Sequence, residues 1–154
     1  GTHDVDLISY LFDAHASSVF ATAQKKVHNH EDHAVLQLAF PGGQTGIIET
    51  SWQAPYQARN IFIVGTKHFA LCDLMNKLIL VYEDNPAGSN LLAGLRAVPP
   101  GDALENQLAS VVANVTDGTP PLCSAQDSLY ALKACSAALN SVETGQAVEV
   151  ESVS

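Results

Sequence analysis

The sequence predicts an α+β domain: an open, mainly antiparallel β-sheet with helices on one face. Three observations carry this. Strand-like segments follow one another between residues 17 and 83, while helical periodicity is confined to 4–12, 102–117 and 124–145. Only short turns separate the strands, so there is no room for the helical crossovers that parallel strands require. The 154 residues are 47% hydrophobic and 15% charged, enough apolar surface for one domain with its own core and too much for a disordered chain.

In residues 4–12, Val5, Ile8 and Phe12, with Leu7 and Leu11, fall at helical spacing. Asp4 and Asp6 stand in the first turn, where the helix dipole favours acids. Residues 17–27 are β-branched and mixed, and read as a strand entering the polar loop His28-Asn29-His30-Glu31-Asp32. In 33–40, Ala34, Leu36, Leu38 and Phe40 share one face and Gln37 the other. Pro41-Gly42-Gly43 is a turn signal, so 33–40 and 46–52 form a hairpin. Strands at 59–64, 69–73 and 77–83 follow, turning at Gly65-Thr66-Lys67 and near Met75-Asn76. From 33 to 83 this makes five antiparallel strands in a meander, a sheet that can cover helices with one face and leave the other open.

Residues 84–101 are rich in Pro, Gly, Ala, Ser and Asn and read as a loop, with Leu91, Leu92 and Leu95 available to pack. Asp102 is a plausible N-cap with Glu105 three residues on. The helix it opens carries Leu104, Leu108, Val111, Val112 and Val115 on one stripe and stops at Gly118. Ser124 and Asp127 open the last helix, whose apolar side holds Leu129, Leu132, Ala134, Cys135, Ala138, Leu139 and Val142. Gly145 closes it, and 147–150 reads as a short final strand. The expected organisation is a single domain over 1–154.

Sixteen acids against seven bases give a net charge of −9, and Lys25-Lys26 is the sole adjacent basic pair. Nucleic acid is therefore an unsuitable partner, because phosphate neutralisation needs clustered cations. No apolar run reaches spanning length, so no membrane is expected either. Cys72, Cys123 and Cys135 are odd in number and form no CxxC pair. They read as packing thiols in a reducing, cytoplasmic setting rather than as a disulfide framework or zinc site. No glycine-rich fingerprint follows a strand: Gly42-Gly43 sits in a hairpin turn and Gly118 follows a helix. Dinucleotide binding of the Rossmann kind is not expected in this chain.

The opening Gly1-Thr2-His3-Asp4-Val5-Asp6 resembles the G-x-H-x-x-D segment of Gfo/Idh/MocA oxidoreductases. Gly46-Ile47-Ile48-Glu49-Thr50-Ser51-Trp52 and Gly65-Thr66-Lys67 follow the same family's pattern. So do the Asp117-Gly118-Thr119-Pro120-Pro121 turn and the final helix and tail to Val150, so the resemblance covers nearly the whole chain. Glu31-Asp32-His33-Ala34 with Ser51-Trp52-Gln53-Ala54-Pro55 is similar to the branch that oxidises nucleotide-linked amino sugars, such as UDP-N-acetylglucosamine 3-dehydrogenases.

The resemblance implies the C-terminal half of a sugar or nucleotide-sugar dehydrogenase, contributing substrate binding and subunit association through the open sheet face. NAD or NADP is implied for the parent and no cofactor for this chain. The family's Rossmann half, and an Asp that tends to stand four residues before the motif histidine, are expected to precede Gly1. The alternative is a stand-alone, non-catalytic binding or oligomerisation module of the same fold.

The resemblance marks His3 as the catalytic candidate. An imidazole titrating near neutrality suits the removal of a hydroxyl proton while a cofactor takes the hydride. Without the resemblance, His3 is a local helix-start residue. Asp6, one turn on, either orients His3 or holds the helix start. Trp52, Tyr56 and Arg59 are candidate substrate-binding residues, since aromatics stack on rings and Arg grips phosphate in a fork. The other reading packs Trp52 in the core and pairs Arg59 with an acid. His28, His30 and His33 with Glu31 and Asp32 are the densest group of metal-type donors, but the spacing is a poor zinc pattern and no metal is assigned.

Overall fold

A computed structural model of the chain describes residues 1–83, 92–98 and 101–153. In chain order the elements are α1 (Thr2–Phe12), β1 (Ser18–Gln24), β2 (His33–Ala39), β3 (Thr45–Ser51), β4 (Asn60–Val64), β5 (His68–Asp73), β6 (Leu78–Glu83), β7 (Leu92–Ala97), α2 (Ala103–Asp117), α3 (Ala125–Thr144) and β8 (Val148–Glu149). The fold is α+β, as expected. It forms two compact units, Gly1–Ala54 with Ser110–Ser154, and Pro55–Ala109.

In the first unit the strands run antiparallel in the order β3-β2-β1-β8. Leu36 stands opposite Ala21 on one side and Ile48 on the other, and Leu38 opposite Val19 and Gly46. These positions share a face by the two-residue period of a strand, and Val19, Ala21, Leu36, Leu38 and Ile48 are all buried. Their neighbours Phe20 and Ile47 point the other way and are exposed.

Helices α1 and α3 cover the buried face. From α3 the contact is made by Tyr130, Ala131, Ala134, Ala137 and Ala138, a stripe of small residues beside one large ring that lets the helix lie close to the sheet. From α1 it is made by Val5, with Ile8 and Phe12 packed at the margin. Gly46 shows how close α1 comes: a Cβ there would stand 2.9 Å from Ile8 Cγ2. Each large apolar side chain buried this way contributes roughly 1.5–3 kcal/mol.

The helix ends follow the sequence signals. Ser124 Oγ accepts the Asp127 N–H while the Asp127 carboxylate accepts the Ser124 N–H, a reciprocal cap on α3. Gly145 ends α3 in the left-handed region at φ 67. Asp102 Oδ1 accepts the N–H groups of Leu104 and Glu105 at the start of α2. The stripe Leu104, Leu108, Val111, Val112 and Val115 of α2 is exposed.

The second unit holds the antiparallel sheet β4-β5-β6-β7. Phe62 stands opposite Leu71, Phe69 opposite Tyr82 and Leu80 opposite Leu95, so one face carries an aromatic and aliphatic ladder. The Phe62–Phe69 and Phe69–Tyr82 ring centroids are 6.3 and 5.5 Å apart. The opposite face carries Ile61, Ile63, Cys72, Ile79 and Val81. No described residue of this unit is fully buried.

Two expectations are corrected. The single meander is two sheets: the chain leaves the first at Ser51, passes Pro55, and enters the second at Asn60. The expected loop over 84–101 contains strand β7, which pairs with β6 along its whole length. Leu91 lies outside the described residues.

Candidate functional site

His3 stands in the first turn of α1 with its side chain exposed. Asp4 also stands in that first turn, where the helix dipole favours an acid. Asp6, one turn on from His3, makes a contact that the sequence did not suggest. Its Oδ1 accepts a hydrogen bond from the Cys123 thiol at 3.5 Å, tying α1 to the segment before α3. Cys123 is accordingly exposed and polar in its contacts rather than a packing thiol. Cys135 does pack, against the core, and burial pushes its thiol up from the ordinary value.

Asp6 also lines a cavity of about 540 Å³ together with Tyr10, His15, Asp127 and Tyr130. His15 lies flat on the Tyr130 ring, with centroids 3.9 Å apart and planes within 3°. Its Nε2 is 3.3 Å from Asp127 Oδ1. The Tyr130 hydroxyl accepts the Ala16 N–H at 2.7 Å, and burial raises its pKa. The Asp127 carboxyl is held below its usual range, first by the Ser124 hydroxyl and then by the Ser124 N–H. Nothing in the sequence pattern singled out His15, because its partners Asp127 and Tyr130 lie more than a hundred residues away.

Trp52 follows β3 and is 84% exposed, so the alternative that packs it in the core is set aside. Tyr56 is also exposed, at 72%. Arg59 precedes β4, and its carbonyl accepts the Leu74 N–H at 2.9 Å. Trp52 belongs to the first unit, Tyr56 and Arg59 to the second.

The histidine-rich loop is organised by a residue that sequence reasoning treated as one donor among several. Asp32 is 2% exposed. Its Oδ2 accepts the backbone N–H groups of Lys26, Val27 and His28, and its Oδ1 accepts the Gln53 side-chain amide. The Val27 bond, ahead of burial and the remaining bonds, sets the balance that lowers its pKa to about 2. Lys25 pairs with Glu31 at 3.1 Å. Both carboxylates of the group are thus engaged, and among the described residues no three His, Cys, Asp or Glu side chains gather as metal ligands.

Residues 1–70 match the model of the GFO/IDH/MocA C-terminal domain. The fold and the matching segment are those of a Gfo/Idh/MocA C-terminal domain. Over 98% of its length, this chain is 29% identical to a myo-inositol 2-dehydrogenase of Thermotoga maritima, aligning with 48% of that protein. A UDP-N-acetylglucosamine 3-dehydrogenase from Acidithiobacillus ferrooxidans shares the fold, with a TM-score of 0.84 at 20% identity over 93% of this chain and 46% of that one. An oxidoreductase from Agrobacterium radiobacter, solved with NAD+, L-tartaric acid and magnesium, does so with a TM-score of 0.79 at 18% identity over 97% and 47%. The chain thus spans about half the length of the relatives it matches.

A dinucleotide needs a phosphate-binding loop between a strand and a helix. The left-handed glycines do other work here: Gly43, at φ 83, turns the β2–β3 hairpin, and Gly118, at φ 73, follows the end of α2. Among the described residues, none of these glycines joins a strand to a following helix.

Proposed function

We propose that the chain is the substrate-binding and subunit-association half of an NAD(P)-dependent oxidoreductase acting on a hydroxyl of a sugar, a cyclitol or a nucleotide sugar. The observation that carries this reading is the near-complete alignment with a myo-inositol 2-dehydrogenase, which accounts for this chain and leaves about half of that protein for a cofactor domain. The fold shared with a UDP-N-acetylglucosamine 3-dehydrogenase supports a ring-shaped polyol as the substrate class.

In this reading His3 is the catalytic group, accepting the proton of the reacting hydroxyl at its imidazole. Its exposure leaves the ring accessible for that task. In the first unit Trp52 offers an exposed aromatic face for a sugar ring; in the second, Tyr56 is an exposed aromatic and Arg59 a candidate phosphate contact. Asp6 lines the substrate side near α1. NAD or NADP is held by residues outside those described. Subunit association is supported by apolar groups on free sheet faces: Phe20 and Ile47 in the first unit, Phe62, Val64 and Leu95 in the second.

The test is NAD(P)-linked oxidation of myo-inositol and UDP-N-acetylglucosamine by a polypeptide joining this chain to its cofactor domain. His3→Asn is expected to lower kcat about 10²- to 10⁴-fold while leaving the unfolding curve unchanged. No cofactor reduction with any sugar, or full activity in His3→Asn, would contradict the reading.

A further inference from the structure

The Asp32 carboxylate sits where two segments on either side of β2 meet. From one side it takes the N–H groups of Lys26 at 3.0 Å, Val27 at 2.6 Å and His28 at 3.2 Å. From the other it takes the Gln53 amide, while the Asp32 carbonyl accepts the Trp52 N–H at 2.8 Å. The Asp32 N–H donates to the Gln24 carbonyl at 3.0 Å, which closes the loop at its base. A residue that merely shaped the loop would bond within the loop. The carboxylate's bond to the Gln53 amide crosses to the exit of β3, next to the point where the Asp32 carbonyl continues the β2–β3 ladder by accepting the Trp52 N–H.

The result is an exposed indole on a fixed backbone. Stacking an aromatic on a sugar ring gains most when the platform is immobile before the ligand arrives, because ordering it on binding costs affinity. Charge-assisted bonds to a buried, fully accepted carboxylate are suited to such immobilisation.

We propose that Asp32 is a positioning residue: it locks the loop of residues 25–31 to the exit of β3 and so presents Trp52 as a preformed platform for a polyhydroxylated ring. The ligand part of this inference rests on the proposed function; the clamp does not.

Trp52 is the chain's one tryptophan, so its fluorescence reports this platform alone. Two variants test the clamp. Asp32→Asn removes the charge that gathers the three backbone donors. Gln53→Met, at an exposed position, removes only the crossing side-chain bond. The fast component of the Trp52 anisotropy decay is expected to grow in both variants, more in Asp32→Asn, with far-ultraviolet circular dichroism unchanged. Titration with myo-inositol and with UDP-N-acetylglucosamine, read by Trp52 emission, is expected to show affinity falling about tenfold in Asp32→Asn and about two- to threefold in Gln53→Met.

A lower melting temperature with anisotropy and affinity both unchanged is the signature of a purely structural carboxylate and would overturn the proposal. Should Asp32→Asn fail to fold, unchanged anisotropy in Gln53→Met overturns it by itself. If the unaltered chain responds to neither probe, the ligand reading of Trp52 fails, while the anisotropy still decides the clamp.

Discussion

The two sheets are built from similar residues and end in opposite conditions. Every buried hydrophobic residue among those described belongs to the first unit, whose sheet lies under α1 and α3. The second sheet carries Phe62, Phe69, Leu71, Leu80 and Tyr82 on one face and Ile61, Ile63, Ile79 and Val81 on the other, and none of them is buried. Apolar strands make a core only where a second layer covers them. The first sheet, with α1 and α3, encloses the buried cluster. The second exposes Phe62, Val64 and Leu95 on one face.

The strongest way to break this contrast is to cut into both sheets. Leu38 is wholly buried at the centre of the first, and Leu38→Ala is expected to cost about 2–5 kcal/mol in denaturant unfolding, from lost transfer energy and the cavity left behind. A cost below that range would mean that the first sheet is not the core.

Acid acts on the first unit through Asp32. Its folded pKa of about 2 lies below the ordinary 3.8, so the stability it contributes is fully present above about pH 4 and is lost as pH falls from there toward 2. Melting temperatures measured across that window should fall steeply in the unaltered chain and more gently in Asp32→Asn. Parallel curves would remove Asp32 from the account.

Smaller effects sharpen the comparison. Ser124→Ala removes the reciprocal cap of α3 and is expected to cost about 1 kcal/mol, read by chemical denaturation. Phe62 is 64% exposed, and Phe62→Ala should change monomer stability by only about 0.5 kcal/mol while weakening any self-association seen by sedimentation. A cost as large as that of Leu38→Ala would show that the second sheet has a core after all.

What was legible in the sequence crosses that divide, since β4, β5 and β6 of the second unit stand where strands were expected. Helix α1, the β2–β3 hairpin and α3 were readable because their residues alternate or repeat against a covered face and their ends carry Asp, Ser and Gly signals. Strand β7 was not, because Leu-Ala-Gly-Leu-Arg-Ala has no β-branched residue and a glycine at its centre; only the edge of β6 makes it a strand. The split into two sheets turns on the stretch around Pro55, which read as a turn inside one meander.

At the candidate site, His3 was singled out by resemblance alone, while the exposure of Trp52 had to be seen. The clamp at Asp32 stayed hidden because its partners are mainly backbone N–H groups, which leave no mark in a sequence. The available signal was an acidic residue closing a polar loop directly before a strand.

The most direct test of the contrast is hydrogen exchange of the 154-residue chain at several protein concentrations, with mass measured alongside by sedimentation. The account predicts that amides of β1–β3 are protected at every concentration, whereas those of β4–β7 exchange quickly in the monomer and gain protection in step with association. Equal, concentration-independent protection of both sheets in a monomer would contradict it.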